Sequence, residues 1–124
     1  MNVRKVFLVV LMVLAVAGVV SAQQQTGKDG VTLGVRLGRD TGTCFVVLEN
    51  KNPCDVSVTY SFKANDQPIQ GQAVIKANGG KAYYNGPGLK NKKGLYLKGK
   101  DGIGIFSTTR VSITDLTIIK VDEY

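Results

Sequence analysis

The residues of this chain best suited to hold a ligand lie in and beside the glycine-rich segment Asn85–Gly102. Lysine ammonium groups attract anions, and tyrosine rings give flat contact surfaces for sugars. Strand alternation turns one of Tyr83 and Tyr84 outward. The candidate ligand-binding residues are Tyr83, Tyr84, Lys90, Lys92, Lys93, Tyr96, Lys98 and Lys100. The same composition is typical of a solvated hairpin whose charges prevent edge-to-edge association, so both interpretations stand.

Cys44 and Cys54 form a second pair with chemistry of its own. A disulfide between them would close a loop of about 11 residues and stabilise the fold by roughly 2–3 kcal/mol. A tight hairpin would place Cys44 opposite Thr59, whereas a bridge requires Cα atoms within about 7 Å. We therefore expect the chain to arch from one sheet to the other, with an internal disulfide across the sandwich. Two buried thiols and an intermolecular bridge are the alternatives.

Several kinds of catalytic chemistry are excluded by composition. The chain has no histidine, so Ser-His-Asp and Cys-His arrangements cannot form within it. The cysteine spacing matches no zinc pattern, and no phosphate-binding, dinucleotide-binding or calcium-loop motif occurs. Asp101 and Asp115 are interpreted as a turn residue and a bulge or outward-facing residue. The sequence predicts a protein that is not an enzyme and that holds no metal or cofactor.

The first 22 residues have the three parts of a secretory signal peptide. Arg4 and Lys5 precede an uncharged apolar run over 6–20, and small residues lead to Ala22. A membrane-spanning helix needs about 20 apolar residues, so we expect cleavage after Ala22 rather than an anchor. The mature protein is then expected to be secreted or periplasmic, with no stable membrane insertion.

Cleavage would leave 102 of the 124 residues, with 14 basic and nine acidic side chains and a net charge of +5. This length predicts a single domain over 31–124, after a flexible N-terminal tail over 23–30. A basic exported protein is expected to meet an anionic envelope polymer, a glycan or a protein surface rather than nucleic acid. Positive charge that only keeps the protein soluble is the alternative.

Strand signals fill the mature chain, and no helix of normal length is predicted. Gly71 is expected to mark a bulge, and a change of phase at Thr114–Asp115 predicts another. The spacing predicts an all-β fold, a small antiparallel β-sandwich of the immunoglobulin-like type with about seven or eight short strands. The predicted strands lie at 31–37, 43–49, 55–63, 69–77, 81–85, 94–98, 102–106 and 110–121.

Three functions fit these features. The first is a non-catalytic module that binds an anionic glycan, envelope polymer or protein through the lysine and tyrosine surface. The second is a structural subunit of a surface assembly that pairs through the apolar strand 110–121. The third is an inhibitor that presents the loop 85–94 to a secreted enzyme. The concentration of charge in one segment, together with the lack of a catalytic constellation, favours the first.

Overall fold

The computed structural model describes residues 24–39, 42–86 and 98–124, except for the side chains of Lys98 and Lys100. This described part is all-β and has no helix, and so contains no helix that could cross a membrane. Its strands are β1 Gln25–Lys28, β2 Val31–Leu37, β3 Thr43–Asn50, β4 Val56–Ala64, β5 Gln67–Ile75, β6 Gly80–Tyr83, β7 Lys98–Lys100, β8 Ile103–Ser107 and β9 Ile113–Glu123.

The strands form two antiparallel sheets that face each other. Sheet A has the order β1-β2-β3-β8-β7, and β6 also pairs with β3; sheet B has the order β5-β4-β9. One side of β3 pairs with β2 from Cys44 to Asn50. The other side is shared, because β6 pairs with Val47–Asn50 and β8 with Thr43–Cys44. The apolar strand predicted over 43–49 is therefore the centre of sheet A.

Alternate residues of both sheets point inward and build one core. Sheet A contributes Leu33, Val46 and Leu48, all fully buried, and sheet B contributes Val58 and Phe62. Burying one such side chain stabilises the folded state by about 1.5–3 kcal/mol. This core confirms that the alternating apolar pattern reports the inward face.

Most predicted strands are confirmed within a few residues, and Val31–Leu37 agrees at both ends. Within the segment 23–30, for which a flexible tail was expected, Gln25–Lys28 forms a strand that pairs with β2 in antiparallel register. The amide of Val35 also donates to the carbonyl of Gln24 at 3.1 Å. Backbone hydrogen bonds do not require apolar side chains, so a polar segment can complete the sheet edge.

The two bulge predictions have opposite outcomes. The bulge near Thr114–Asp115 is confirmed, because the β4–β9 register shifts there and Asp115 has a positive φ of 54°. The bulge at Gly71 is wrong, since the β4–β5 register runs unbroken through that residue. Gly71 instead lies against the ring of Tyr60, whose Cζ would be 2.5 Å from a Cβ at position 71. The glycine accommodates the ring, not an irregular strand.

The expected disulfide is wrong, and both thiols are free. Cys44 pairs with Phe106 near the start of β3, whereas Cys54 follows the far end of that strand. The seven residues from Cys44 to Asn50 span about 20 Å of extended chain, well beyond bridging distance. The expected arch is present, since β3 belongs to sheet A and β4 to sheet B.

A buried amide holds this arch in place of the disulfide. Asn50 has no exposed surface, and its Nδ2 donates to the carbonyls of Cys54 at 2.8 Å and Ile75 at 3.1 Å. Its Oδ1 accepts from both the backbone amide and the Nδ2 of Asn52 at 2.9 Å. Asn52 in turn donates to the carbonyl of Asp29 at 2.9 Å. Asn50 thus joins the arch to the turn after β5, and Asn52 joins it to the turn before β2.

Candidate functional site

A groove of about 480 Å³ lies on the outer face of sheet A, on the side away from the core. Strands β1, β2, β3 and β6 contribute to it. We call it the outer-sheet groove and define it by Gly34, Arg36, Phe45, Val47, Lys81 and Tyr83.

The strand register explains the floor of the groove. Gly34 pairs with Gln25 on one side and with Val47 on the other, and Val47 pairs with Tyr83. Directly opposed residues point to the same face of a sheet, so these four form one row across the strands. Gly34 has no side chain, and the floor of the row is therefore lowest between Gln25 and Val47.

Charged side chains divide the groove into two ends. In the strand register Glu49 lies opposite Lys81 on one side and opposite Thr32 on the other. One end of the groove therefore carries opposite charges and a hydroxyl group. Arg36 is paired with Phe45, four residues along β2 from Thr32. That separation is about 13 Å in an extended strand. The groove therefore has a nearly neutral polar end and a cationic end beside an aromatic ring.

An aromatic pair adjoins the cationic end. The ring centroids of Phe45 and Tyr83 are 5.5 Å apart, with 63° between the ring planes. Both side chains are half-buried, and neither belongs to the core cluster. Edge-to-face aromatic contacts of this kind fix ring orientation and stabilise by about 0.5–1.5 kcal/mol. The rings form a wall on the solvent side, where the core gains nothing from them.

The predicted contact residues have different positions. Tyr83 points outward into the groove and Tyr84 points inward, which confirms that the two face opposite ways. Tyr84 packs against Phe62 and Phe106, and burial raises the pKa of its hydroxyl. Tyr84 is therefore removed from the candidate contact residues.

The side chains of the remaining predicted contact residues lie outside the described part of the structure. Lys98 and Lys100 lie in β7 and pair with Ile105 and Ile103, but their side chains are outside the description. Outside the described residues lie Lys90, Lys92, Lys93 and Tyr96.

Sequence reasoning missed most of the groove. Gly34 and Arg36 lie in the strand predicted over 31–37, and Phe45 and Val47 in the strand predicted over 43–49, but none of the four is a predicted contact residue. Two signals were present: a glycine in the middle of β2, and apolar residues on both faces of β3. Together they indicate an outer face that is concave and apolar.

A second cavity, of about 360 Å³, opens between the sheets at one end of the molecule. Leu37 and Ile113 line it, with Cys44. Burial raises the pKa of the Cys44 thiol, which disfavours the reactive thiolate. Within the part of the chain that the structure describes, no three carboxylates or thiols are close enough to hold a metal. The outer-sheet groove is thus the stronger candidate site.

Comparisons with protein-family models, with curated proteins and with solved structures find no match for this chain.

Proposed function

We propose that this protein is a secreted or periplasmic, non-catalytic module that binds an acidic glycan in the outer-sheet groove. The observation that carries the proposal is the glycine-floored depression on the solvent side of a sheet, with Arg36 beside the Phe45–Tyr83 wall. An immunoglobulin-like sandwich and a cleaved signal peptide over 1–22 belong to the same proposal.

Each part of the groove suits a different part of a sugar chain. The apolar face of a sugar ring packs against an aromatic side chain such as Phe45. The Arg36 guanidinium can bind a uronic-acid carboxylate with two parallel hydrogen bonds. At the other end, Thr32, Glu49 and Lys81 supply donors and acceptors for sugar hydroxyl groups. The ligand class that fits is an extended saccharide with a carboxylate.

Titration calorimetry with a uronic-acid trisaccharide and its neutral counterpart tests this function. We expect the acidic sugar to bind more tightly, and Arg36→Gln to weaken that binding about tenfold or more, since a charged hydrogen bond contributes roughly 1.5–3 kcal/mol. Phe45→Ala should weaken the binding of both the acidic and the neutral trisaccharide. Lys120→Gln on sheet B is the matched charge control and should leave both affinities unchanged. Equal affinities in the parent protein and the two groove variants would refute a role for the groove.

The lysine segment can be separated from the groove in the same assay. Replacing Lys90, Lys92 and Lys93 with Gln should reduce affinity at low salt only, because exposed charges are screened over about 8 Å at physiological ionic strength. A loss of affinity confined to this triple variant would show that the ligand binds at the segment with Lys90, Lys92 and Lys93 rather than in the groove. The inhibitor function of the loop 85–94 stays a prediction.

A structural subunit of a surface assembly is the second candidate. It is favoured by one observation: the three-stranded sheet B has β5 and β9 as its edges, and another strand can be added at a sheet edge. Light scattering during size-exclusion chromatography would test it, and a strictly monomeric protein at high concentration would contradict it.

A further inference from the structure

The two edges of sheet B differ in their suitability for strand addition. β9 breaks register with β4 twice, between Thr59 and Tyr60 and again between Ser61 and Lys63. The Nζ of Lys28 donates to the carbonyl of Ile119 at 3.3 Å and occupies a group that an added strand would need. Bulges and charged side chains are the features by which proteins protect an edge. β9 is therefore a protected edge.

The opposite edge has none of these features. β5 runs for nine residues without a charged side chain, and its register with β4 is continuous from Gln67 to Ile75. Within the described part of the chain, β5 pairs with β4 alone. Three of its neighbours on the outer face of β4 are also uncharged, namely Ser57, Thr59 and Ser61. The fourth, Lys63, lies opposite Pro68 at the turn end of the hairpin and forms an ion pair with Asp115 at 3.3 Å. This is a long, flat, neutral edge on a basic protein.

The hairpin turn determines which backbone groups of β5 are unused by β4. Asn65 and Asp66 have φ values of 52° and 64°, the left-handed conformation of a two-residue type I′ turn. Such a turn closes on a hydrogen-bonded pair, here Ala64 and Gln67. Hydrogen-bonded and non-hydrogen-bonded pairs then alternate along the strands. The backbone groups that face away from β4 belong to Pro68, Gln70, Gln72 and Val74.

We propose that β5 pairs in antiparallel register with β5 of a second copy of this chain, around a two-fold axis at Gly71. Gln70 then lies opposite Gln72 of the second copy, and the two copies of sheet B become one six-stranded sheet. The pairing makes about six backbone hydrogen bonds, because Pro68 accepts through its carbonyl but has no N–H to donate.

The chemistry of β5 favours a second copy as its partner. A glutamine amide both donates and accepts, so the Gln70–Gln72 pair is self-complementary under two-fold symmetry. The full chain carries a net charge of +7, and a neutral edge is where two such chains meet with least repulsion. Gly71 brings no side chain to the axis, and the Tyr60 ring covers its inner side.

Paired charge variants test both the dimer and its register. In sedimentation analysis over a concentration series, we expect the parent protein to dimerise. Gln70→Lys with Gln72→Lys places like charges opposite each other twice and should weaken the dimer about tenfold or more. Gln70→Lys with Gln72→Glu places opposite charges in the same positions and should restore it. Far-UV circular dichroism checks that each variant folds.

A matched control places the same charges on the other edge of sheet B. Thr117→Lys with Ile119→Lys on β9 should leave the dimer unchanged. Dissociation of the dimer by this control but not by the β5 variant would overturn the proposal. A parent protein that stays monomeric at every concentration would also overturn the proposal. The β5 edge would then be available only for pairing with a different extended chain. The readout is mass, so either failure is distinct from a failure to bind sugar.

Discussion

The two faces of β3 carry apolar residues for different reasons. Val46, Leu48 and Asn50 point inward and are fully buried in the core. Phe45 and Val47 lie between them in sequence and point outward, where they line the outer-sheet groove. The inward residues pack between the two sheets, whereas the outward residues form the wall and floor of the groove, where Val47 is 7% exposed. Residues of the core and residues of the proposed site thus alternate along a single strand.

This separation of roles can be tested one residue at a time. A change on the inner face should lower stability and reduce ligand binding only to the extent that the protein unfolds. A change on the outer face should lower affinity and leave stability nearly constant. An outer-face variant that unfolds the protein would remove the distinction.

Asn50→Leu should have the largest effect. The substitution keeps the side-chain volume but leaves buried carbonyls and the amide of Asn52 without partners, and each lost partner costs about 1–3 kcal/mol. We expect a loss of about 4 kcal/mol in the free energy of unfolding, measured by urea denaturation. Glu49→Gln, one residue earlier and on the outer face, is the control and should change stability by less than about 0.5 kcal/mol. Similar losses in both variants would contradict the comparison.

Gly34→Val tests the outer face by filling the groove. Gly34 does not have a positive φ, and a Cβ there meets the carbonyl of Gln24 at 3.3 Å, which requires only a small shift. Valine favours strands, so stability should stay within about 1 kcal/mol of the parent protein. Binding of the acidic trisaccharide should fall about tenfold or more in calorimetry. Gly27→Val on β1, outside the groove lining, is the control; undiminished binding by Gly34→Val would show that the groove is not the site.

Tyr60→Phe has the smallest expected effect, visible only in alkali. Burial, followed by the nearby Tyr84 hydroxyl, raises the pKa of Tyr60 to about 12 from a usual value of 10.0. The raised pKa stabilises the fold below pH 10, and this contribution is lost as pH rises towards 12, because the unfolded state releases its proton first. The parent protein should therefore lose stability more steeply than Tyr60→Phe across that interval in alkaline urea titrations. Parallel curves would show that Tyr60 ionises as readily in the folded state as in the unfolded state.

The sequence predicted the strands because alternation, as in Val31–Leu37, is a local pattern. The arch is also present, although it was inferred from a disulfide that does not form. The same reasoning failed for the bridge because an arch does not specify how far apart its two ends lie. It also failed for Gly71, since a glycine beneath a ring and a glycine in a bulge look alike in sequence.

By itself, the sequence determined an all-β chain with strands near their observed positions, because side-chain period and turn residues are local properties. Only the tertiary structure decided that Gln25, Gly34, Val47 and Tyr83 form one row, because register joins residues that are distant in the chain. It also decided that Asn50, rather than a disulfide, holds the arch, and that β5 and β9 are the edges of sheet B. Pairing between strands depends on the whole fold, and on that pairing depend both the groove and the edge proposed for dimerisation.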